Sequence, residues 1–578
     1  MHWRDLDSSQ NNGLAIKLQS STFADMRISM VIFAFAVSSA LSCKTASVAQ
    51  ESAPPKEASP KLVVGIVVDQ MRYDFLTRFA DQFGETGFNR MMREGYNAKE
   101  HHYSYAPTFT GPGHASIYTG TTPAHHGIIS NGWYDVITDT STYCAGDKTV
   151  MGVGSTSSLA QMSPRKMITT SMCDELKLFS NQRSKTIGVS IKDRGAILPA
   201  GHSTDGAYWF IGGTEGNWIT STYYRESLPS WVEKFNSTRK VDEYLSTPWD
   251  LLLPASEYAS SLPDNNPYEG AFIGGVRPTF PYQLDSLAAK NGNYDILKAV
   301  AWGNSLTLDF AKAAISGESL GTDDHCDFLA MSFSSTDYIG HQFGPQSREA
   351  HDAYLRLDIE LGEFFTYLDE TVGMGEYIVF LTADHGAVQV PSHLEKLKIP
   401  SGYWNPGNMI EDTKAMLVRR FGEGDWVENY SNDHFFLNRA LIHQKGLDAE
   451  NVQRAIANFV LNYDGVHNAL TRSDLLLPNK VDGLATLIKN GYHPKRSGDV
   501  VLIIEPGWLQ YSTRTGSSHG SAHAYDTHVP FLIYGPGVNQ GASYTRTHIR
   551  DIAPTICALL GIQMPNGTSG KVMTEILD

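Results

Sequence analysis

The stretch "KLVVGIVVD", Lys61 to Asp69, is a continuous run of apolar and β-branched residues that ends at a carboxylate. A run of this length without polar alternation is typical of a strand buried on both faces, as in a parallel sheet covered by helices. Three further runs have the same form and also end in polar side chains: "KTIGVSIKDR" at Lys192 and Arg194, "CDFLAMSFSSTD" at Asp337, and "EYIVFLTADH" at Asp384 and His385.

The order of these runs along the chain predicts the architecture. Helical stretches separate them, and two later runs, "DVVLIIE" near residue 499 and "VPFLIYG" near residue 529, add further strands. This alternation predicts an α/β fold with a doubly wound, mostly parallel central sheet and helices on both faces. Ligands of such sheets bind beyond the carboxyl ends of the strands, so the polar residues at the run ends are expected to face one crevice.

Two long segments depart from this pattern of strands and helices. Residues 203–300 are rich in Tyr, Trp, Pro, Ser and Gly, and residues 388–497 mix loops with helical patches. We interpret both as large insertions that crown the crevice. The predicted organisation is upstream residues with an export signal (1–49), a Pro-rich, charged linker (50–60) and a single catalytic domain (61–578).

The N-terminal region contains an apolar run that follows Arg27, ends at Cys43 and resembles an export signal. At about fifteen residues, this run is shorter than the roughly 20 residues that a membrane-spanning helix needs. Cleavage after Ala49 and lipoprotein-type cleavage before Cys43 are both open, and simple export is favoured. We expect a periplasmic protein that is held at a membrane only if Cys43 is lipidated.

The composition of the 578 residues limits the partners. A formal net charge of −16 and a pI near 5.7 argue against nucleic acid, so an anionic substrate must be held by local groups or metal ions. A monomer is compatible with the sequence. Cleavage after Ala49 would leave four cysteines, which is compatible with disulfides of undetermined pairing: Cys144, Cys173, Cys326 and Cys557.

The stretch "TFTGPGHASIYTG", Thr108 to Gly120, places a threonine hydroxyl directly before a Gly-Pro-Gly sequence and a short helix. Pro112 fits the first helical turn, where its missing N–H group costs nothing, and the glycines allow a close approach of the backbone. Thr110 is therefore expected at a helix N-terminus, where free N–H groups and the helix dipole attract an anion such as phosphate. The alternative is an N-cap threonine that opens an ordinary helix.

Carboxylate and imidazole groups collect at the predicted strand ends and in the later stretch "SSHGSAHAYDTH". Taken singly, each group has a structural interpretation as a helix cap, a surface pair or a turn residue. Taken together, groups of this kind around one crevice suit zinc and are numerous enough for two ions. The candidate ligands are Asp69, Asp337, His341, Asp384, His385 and His519.

Six motifs carry a family resemblance: "GIVVDQMR", "TGPGHASIYTG", "SSTDYIGH", "TADHG", "GSSHGS" and "RTHIRDIAPTICALLG". Together they resemble the alkaline phosphatase superfamily over nearly all of the chain past residue 60, and most closely the bacterial phosphate-irrepressible alkaline phosphatases with a threonine nucleophile. The resemblance implies an alkaline-phosphatase-like sheet, two zinc ions and Thr110 as the nucleophile. The implied ligands of one zinc ion are Asp69, Asp384, His385 and Thr110. The implied ligands of the other are Asp337, His341 and His519.

The same resemblance decides between two histidines. His519 stands in an "HG" element that matches a ligand position of the family, whereas His528 in "YDTHVP" directly precedes an apolar strand. Other histidines match no ligand position and are expected on the surface or around the ligands: His101, His102, His114, His125 and His126.

Three residues are candidates for binding the phosphoryl group. Asn131 in "SNGWYD" resembles the family's amide that donates to a phosphoryl oxygen, and its alternative is an Asn-Gly turn. Lys192 and Arg194 follow an apolar strand at the expected crevice edge. They could bind the charged oxygen that a phosphate monoester has and a diester lacks. Their alternative is a pair of exposed charges that flank Asp193.

These features predict an exported alkaline phosphatase with two zinc ions that hydrolyses small phosphate monoesters through a phosphothreonine at Thr110. The chief alternative is a phosphodiesterase or nucleotide pyrophosphatase of the same superfamily, in which the Lys192 and Arg194 pair is not expected. A sulfatase is less favoured because the sequence contains no C-x-P-x-R stretch. A cofactor-independent phosphoglycerate mutase is also less favoured, because such an enzyme normally works inside the cell with a serine, whereas this sequence contains a predicted export signal. A phosphate- or metal-binding protein without catalysis would not need a hydroxyl at the anion site.

Overall fold

The computed structural model describes residues 59–477, 483–511 and 513–577. The predicted export signal, Cys43 and the linker up to residue 58 lie outside these residues. Within the described ranges, no helix combines the length and the hydrophobicity that a membrane crossing requires. The described residues, from 59 onward, belong to one compact unit.

The strands of the described residues are β1 (Leu62–Val68), β2 (Tyr96–Ala98), β3 (His101–His102), β4 (Gly132–Asp135), β5 (Thr140–Tyr143), β6 (Gly152–Val153), β7 (Thr186–Ser190), β8 (Gly206–Ile211), β9 (Asn217–Ser221), β10 (Asp327–Phe333), β11 (Tyr377–Thr382), β12 (Gly402–Tyr403), β13 (Val427–Ser431), β14 (His434–Leu437), β15 (Val466–Thr471), β16 (Val500–Ile504), β17 (Trp508–Leu509), β18 (Phe531–Tyr534), β19 (Gly541–Ser543) and β20 (Thr547–His548).

The α-helices are α1 (Phe75–Arg78), α2 (Phe88–Glu94), α3 (Thr110–Thr119), α4 (Pro123–His126), α5 (Met172–Phe179), α6 (Asp193–Ala200), α7 (Ser230–Ser237), α8 (Lys240–Ser246), α9 (Leu284–Ala288), α10 (Trp302–Glu318), α11 (Ser335–Phe343), α12 (Arg348–Leu368), α13 (Pro391–Lys396), α14 (Pro406–Phe421), α15 (Arg439–Gln444), α16 (Ala449–Val460), α17 (Arg472–Leu476), α18 (Leu484–Gly491), α19 (Ala524–Thr527) and α20 (Ile552–Leu560). Short 3₁₀ or π segments are Ser158–Ala160, Ala255–Tyr258, Tyr294–Ala299, Asp369–Gly373, Ile549–Asp551 and Thr574–Ile576.

The central sheet has ten strands in the order β19, β2, β18, β11, β1, β10, β7, β8, β9 and β6. Its middle strands β11, β1, β10, β7 and β8 are parallel, while β18 and β9 pair antiparallel on either side. Every residue of β1 is buried, and full burial of a Val, Leu or Ile side chain contributes about 1.5–3 kcal/mol. The predicted α/β fold with a mostly parallel central sheet is confirmed.

The structure corrects the limits of both predicted insertions. Residues 203–300 do not lie wholly outside the central sheet, because β8 and β9 are two of its strands. The run near residue 499 was expected in the central sheet, but it forms β16 of a separate sheet in the order β13, β14, β16 and β15. The second insertion therefore continues past residue 497. A short apolar strand has the same pattern in either sheet, so the pattern alone could not assign it.

Helix α3 packs on the centre of the sheet through two glycines. A Cβ atom on Gly65 in β1 would lie 2.4 Å from the hydroxyl oxygen of Tyr118, so only glycine admits this helix. A Cβ atom on Gly113 would lie 2.4 Å from the carbonyl oxygen of Asp384. The glycines of the Gly-Pro-Gly sequence were expected to allow a close approach of the backbone, and at Gly113 the group that approaches is the backbone that follows β11.

Candidate metal and phosphate site

The site lies where four neighbouring parallel strands end. Asp69 directly follows β1, and Asp384 stands two residues after β11. Asp337 lies in the first turn of α11, which follows β10, and Lys192 is the N-cap of α6, just after β7. Because β11, β1, β10 and β7 are adjacent in the sheet, these side chains meet at one edge, as the sequence predicted.

The first ligand group consists of Asp69, Asp384 and His385, whose side chains are fully buried. His385 Nε2 lies 3.5 Å from Asp69 Oδ1 and 3.4 Å from Asp384 Oδ2. Neither of these carboxylate oxygens has a hydrogen-bond donor among the described residues. Buried acceptors without donors are costly, and a cation between them would satisfy all three groups.

The second ligand group consists of Asp337, His341 and His519. Asp337 Oδ1 lies 3.2 Å from His341 Nε2 and 3.6 Å from His519 Nε2. The ring of His519 stacks on that of His385, with the centroids 3.4 Å apart. The ligand atoms of Asp337, His385 and His519 also lie within 4.8 Å of one another, so the two groups adjoin and share one buried space.

Backbone carbonyls orient all three imidazoles in the same way. The Nδ1 atom of each ring lies within hydrogen-bond distance of a carbonyl oxygen: 3.0 Å from Gly386 for His385, 2.8 Å from Ser517 for His341, and 2.7 Å from Thr108 for His519. A carbonyl only accepts, so Nδ1 carries the proton and Nε2 presents a lone pair. This is the orientation that metal-binding histidines need.

Burial is the main cause of the pKa shifts of the first group and of His519 in the second group. Burial raises the pKa of Asp69 well above its usual range, helped by the charge of Asp384, and it raises the pKa of Asp384 to about 6. Burial lowers the pKa of His385 to about 4 and that of His519 well below its usual value. The neutral imidazoles keep a lone pair for a ligand, and the buried carboxylates are costly to ionise without a nearby positive charge. A divalent cation would stabilise this arrangement.

Lys192 bridges the two ligand groups. Its ammonium nitrogen donates to Asp69 Oδ2 at 2.7 Å and also to Asp337 Oδ2. Burial alone would lower the pKa of Lys192, but the charges of Asp337 and Asp69 outweigh it and raise that pKa. Lys192 is therefore a buried cation on the ligands, and the alternative of an exposed surface charge is excluded.

Thr110 is the first residue of α3, and its side chain is buried. The N-cap of this helix is Phe109, and no side chain caps it, so the alternative of a capping threonine is excluded. The Thr110 hydroxyl oxygen lies 3.5 Å from His385 Nε2 on one side and 3.5 Å from Arg194 Nη2 on the other. The hydroxyl thus stands between the ligand groups and a guanidinium.

Asn131 adjoins the same helix N-terminus. Its side-chain oxygen accepts a hydrogen bond of 2.7 Å from the backbone N–H group of Gly111, and its carbonyl accepts one of 2.9 Å from Cys144. With the amide oxygen used in this way, the amide nitrogen is the group left to donate to a ligand. A cavity of about 1070 Å³ opens beside Lys192 and Arg194.

The other histidines belong to neither of the two ligand groups. His528 Nε2 binds the Lys99 carbonyl at 2.8 Å, and its ring stacks on Tyr73 and His102. Ligand atoms of His528, His102 and Glu100 lie within 4.8 Å of one another, as a group separate from Asp337. His114 is buried behind the site, with Nδ1 2.9 Å from the Thr110 carbonyl and 3.5 Å from Asp384 Oδ2. His101 and His126 are also buried, whereas His125 is exposed.

Sequence reasoning missed Gln70, which links the two ligand groups. Its side-chain amide donates to Asp337 Oδ1 at 2.7 Å, and its backbone N–H group donates to Asp384 Oδ1 at 3.1 Å. Its φ of +65° is uncommon for a residue other than glycine. The only signal in the sequence is its place beside Asp69. The structure also leaves the four cysteines of the described residues as free thiols: Cys144, Cys173, Cys326 and Cys557.

The chain matches the family described as type I phosphodiesterase / nucleotide pyrophosphatase over residues 63–526. It is similar to alkaline phosphatase PhoV of Synechococcus elongatus, with 43% identity over 560 residues that cover 96% of this chain and 100% of PhoV. A Myroides odoratus protein named calcium-transporting ATPase is 42% identical over 529 residues, which cover 91% of this chain and 96% of that protein.

Alkaline phosphatase PafA of Elizabethkingia meningoseptica is 41% identical over 521 residues, which cover 90% of this chain and 94% of PafA. A crystal structure of wild-type PafA matches this structure with a TM-score of 0.86, over 91% of this chain and 100% of that chain. The similarity therefore extends over nearly all of the described residues, including the strands that carry the site.

Proposed function

The chain belongs to the type I phosphodiesterase / nucleotide pyrophosphatase family of the alkaline phosphatase superfamily, and from this premise we propose how it works as an alkaline phosphatase, a hydrolase of phosphate monoesters. In this proposal, Thr110 is the nucleophile. The observation that carries it is the place of the Thr110 hydroxyl, which lies 3.5 Å from a ligand histidine and 3.5 Å from the Arg194 guanidinium.

The proposed cofactors are two zinc ions. Asp69, Asp384, His385 and Thr110 would hold one, and Asp337, His341 and His519 would hold the other. The support is the donor set: zinc takes buried carboxylates and imidazoles as ligands, and here Nδ1 of each imidazole faces a carbonyl oxygen, which leaves Nε2 for the ion. When bound, such ions supply Lewis-acid activation and neutralise the charge of a phosphoryl group.

In the proposed reaction, Thr110 attacks the substrate and neighbouring residues hold the phosphoryl group in place. The Thr110 hydroxyl oxygen attacks the phosphorus atom and gives up its proton to solvent, the bond from phosphorus to the leaving oxygen breaks, and that oxygen takes up a proton, so that a phosphothreonine and an alcohol form. Arg194 Nη2 and the Asn131 amide nitrogen donate to the phosphoryl oxygens. The Gly111 N–H group at the start of α3 is used by the Asn131 side-chain oxygen and so holds that amide in place. A water molecule then attacks the phosphorus, which releases inorganic phosphate and restores the Thr110 hydroxyl.

The charge of Arg194 beside Thr110 favours a monoester over a diester. A monoester dianion has one more charged oxygen than a diester, and Arg194 Nη2 faces the Thr110 hydroxyl at 3.5 Å, while Lys192 adds a second cation on the carboxylate of Asp69. A diester would bring an uncharged alkoxy oxygen to the same position. This chemistry agrees with the two relatives named alkaline phosphatase, and the diesterase named in the family description is the alternative.

Export to the periplasm is the second part of the proposal, and its support is the sequence alone. The apolar run between Arg27 and Cys43 has the composition of an export signal. Intact bacterial cells that express the full chain should hydrolyse a phosphate ester that cannot cross the inner membrane. Activity that appears only after lysis would reject export.

Trapping the covalent intermediate tests the proposed nucleophile. Zinc-loaded enzyme is mixed with an aryl phosphate, quenched in acid during the first turnovers, and mapped by peptide mass spectrometry. We expect phosphate on the peptide that contains Thr110, and none in a Thr110→Ala variant treated in the same way. Phosphate on another residue would reject Thr110 as the nucleophile.

A further inference from the structure

Arg194 is held by a tyrosine placed between it and a carboxylate. Its Nη1 atom donates to the Tyr143 hydroxyl oxygen at 3.1 Å, and that hydroxyl donates to Asp193 Oδ1 at 2.6 Å. The direct distance from Arg194 Nη1 to Asp193 Oδ1 is 4.0 Å, too long for a hydrogen bond. The carboxylate therefore acts on the guanidinium mainly through the phenol.

This indirect contact leaves most of the guanidinium for a ligand. A direct bidentate pair with an aspartate would use two of its N–H groups and most of its charge. Here only Nη1 is used, Nη2 faces Thr110 at 3.5 Å, and the buried Nε atom has no hydrogen-bond partner among the described residues. Buried donors without partners are rare, so the unpaired Nε atom indicates that the Arg194 guanidinium binds an anionic ligand.

Tyr143 also connects Arg194 to Asn131. The hairpin β4–β5 begins directly after Asn131 and ends at Tyr143, which pairs with Gly132 at its base. The backbone N–H group of the next residue, Cys144, donates to the Asn131 carbonyl at 2.9 Å. The base of one hairpin thus fixes the places of the Asn131 amide and of the phenol that holds Arg194.

We propose that Tyr143 is a positioning residue that, with Asp193, orients the Arg194 guanidinium toward the phosphoryl group and so sets the preference for monoesters. The inference rests on the proposed function, because it assumes that Arg194 binds phosphoryl oxygens. Burial, together with the charge of Asp193, raises the pKa of Tyr143 well above its usual value, so the phenol keeps the proton that it donates.

The test is Tyr143→Phe, which removes the hydroxyl and keeps the ring. We expect kcat/KM for an aryl phosphate monoester to fall about 10- to 100-fold, since a small displacement of a binding group costs this much. For the matching methyl diester, the fall should stay below about threefold, because Arg194 finds no comparable charge there. A general loss of structure would lower both values equally, and that result would overturn the inference.

Tyr134→Phe is the matched control. Tyr134 lies on the other strand of the same hairpin, and its hydroxyl donates to Asp139 Oδ1 at 2.7 Å instead of to a residue of the site. This variant should leave kcat/KM unchanged for both the monoester and the methyl diester. If Tyr143→Phe fails to fold, Asp193→Asn keeps an acceptor oxygen without the charge and should lower monoester kcat/KM by about three- to tenfold. An unchanged ratio of monoester to diester in Asp193→Asn would equally overturn the inference.

A double-mutant cycle distinguishes the positioning role of Tyr143 from the proposed binding of phosphoryl oxygens by Arg194. In the Arg194→Ala background, Tyr143→Phe should cause no further loss on the monoester, because its effect passes through Arg194. A further loss as large as in the wild type would overturn the positioning role, even if Arg194→Ala itself is selective for the monoester. If Arg194→Ala leaves the monoester rate unchanged, the proposed recognition by Arg194 fails, and the inference falls with it.

Discussion

The site has two halves that the fold builds in different ways. The ligand half consists of the proposed metal ligands Asp69, Asp337, His341, Asp384, His385 and His519. It stands at the ends of adjacent parallel strands, and backbone carbonyls orient its imidazoles. The recognition half consists of Asn131, Lys192 and Arg194. It stands at the base of a hairpin and at the start of a helix, and side chains orient its charged groups.

The difference separates what the fold fixes from what a few side chains can tune. A ligand whose orientation depends on a backbone carbonyl of the central sheet region keeps its place as long as the sheet is intact. A guanidinium that depends on one phenol can be moved by one substitution. We therefore expect changes in the ligand half to affect every substrate, and a change at Arg194 in the recognition half to alter the choice between substrates. Lys192 should affect both substrates, because its ammonium group lies on Asp69 and Asp337.

The largest effect is expected at Thr110, where the two halves meet. Thr110→Ala removes the proposed nucleophile and should lower kcat by roughly 10⁴- to 10⁶-fold on monoester and diester alike. Zinc content should stay close to that of the wild type, because Asp69, Asp384 and His385 remain as ligands of the ion beside Thr110. The melting temperature should also change little, since the hydroxyl is not a helix cap. Thr110→Ser should keep much of the activity. Near-normal activity of Thr110→Ala would exclude Thr110 as the nucleophile.

The next largest effect is expected when Lys192 and Arg194 are changed together, and it should differ between a phosphate monoester and a diester. Changing Lys192 and Arg194 together to Ala removes two cations, and the loss of each transition-state donor costs roughly 10²- to 10³-fold. We expect kcat/KM for an aryl monoester to fall by several powers of ten and that for its methyl diester to fall much less. Arg194→Ala alone should account for the selective part, because Arg194 faces Thr110.

Lys192→Ala provides the contrast within this prediction. Its ammonium group lies on Asp69 and Asp337, so its removal acts on the ligand half as well. This single variant should lower the rates for both substrates and change the zinc content, measured by elemental analysis. If Arg194→Ala lowers monoester and diester rates equally, Arg194 does not select the dianion.

A third prediction tests the membership of the ligand half. His519→Ala should lower the zinc content by about one ion per chain, because the imidazole is one of few ligands of that ion. His528→Ala is the matched control, since His528 binds Lys99 and stacks on Tyr73 instead of facing Asp337. Normal zinc in His519→Ala together with a missing ion in His528→Ala would reverse the assignment.

The smallest effect is expected at Glu349 in α12, which belongs to neither half. Burial raises the pKa of Glu349 to about 8, so this carboxyl stays protonated in the folded chain while it ionises above about pH 4.3 in the unfolded chain. The stability that it contributes is present at low pH and is lost as the pH rises toward 8. Glu349→Gln keeps the shape and removes this titration.

The melting temperature of Glu349→Gln relative to the wild type should therefore rise by about 1–3 °C from pH 5 to pH 8. Added zinc should leave this difference unchanged, whereas it should stabilise the carboxylates of the ligand half. A difference that does not grow with pH would show that Glu349 is already ionised in the folded chain.

The carboxylates of the ligand half could be predicted from the sequence because each follows a recognisable element, whereas His519 was chosen by the family resemblance. Asp69, Asp337 and Asp384 come soon after apolar runs that can only be buried strands, and parallel strands bring their carboxyl ends to one edge. The recognition half was only partly predictable. The sequence placed Lys192 and Arg194 at a strand end. It did not show that the Lys192 side chain reaches the ligands while that of Arg194 faces Thr110, because these directions depend on side-chain packing.

The contacts that escaped prediction join residues far apart in sequence or depend on local backbone strain. Tyr143 lies 51 positions from Arg194, and nothing in a β-strand pattern marks a phenol that will accept from a guanidinium. Gln70 contributes through a backbone with positive φ, which a sequence does not display. The sheet membership of β16 likewise depends on its partner strands, which lie in the insertion itself.

The central claim is that this site hydrolyses monoesters and that its cations select them. The most direct measurement is kcat/KM of the purified wild-type chain for one aryl phosphate monoester and for its methyl diester, with added zinc and after chelation. The account predicts a preference for the monoester by powers of ten, with activity lost on chelation and restored by zinc. A wild type that prefers the diester would contradict it and would assign the chain to the phosphodiesterases.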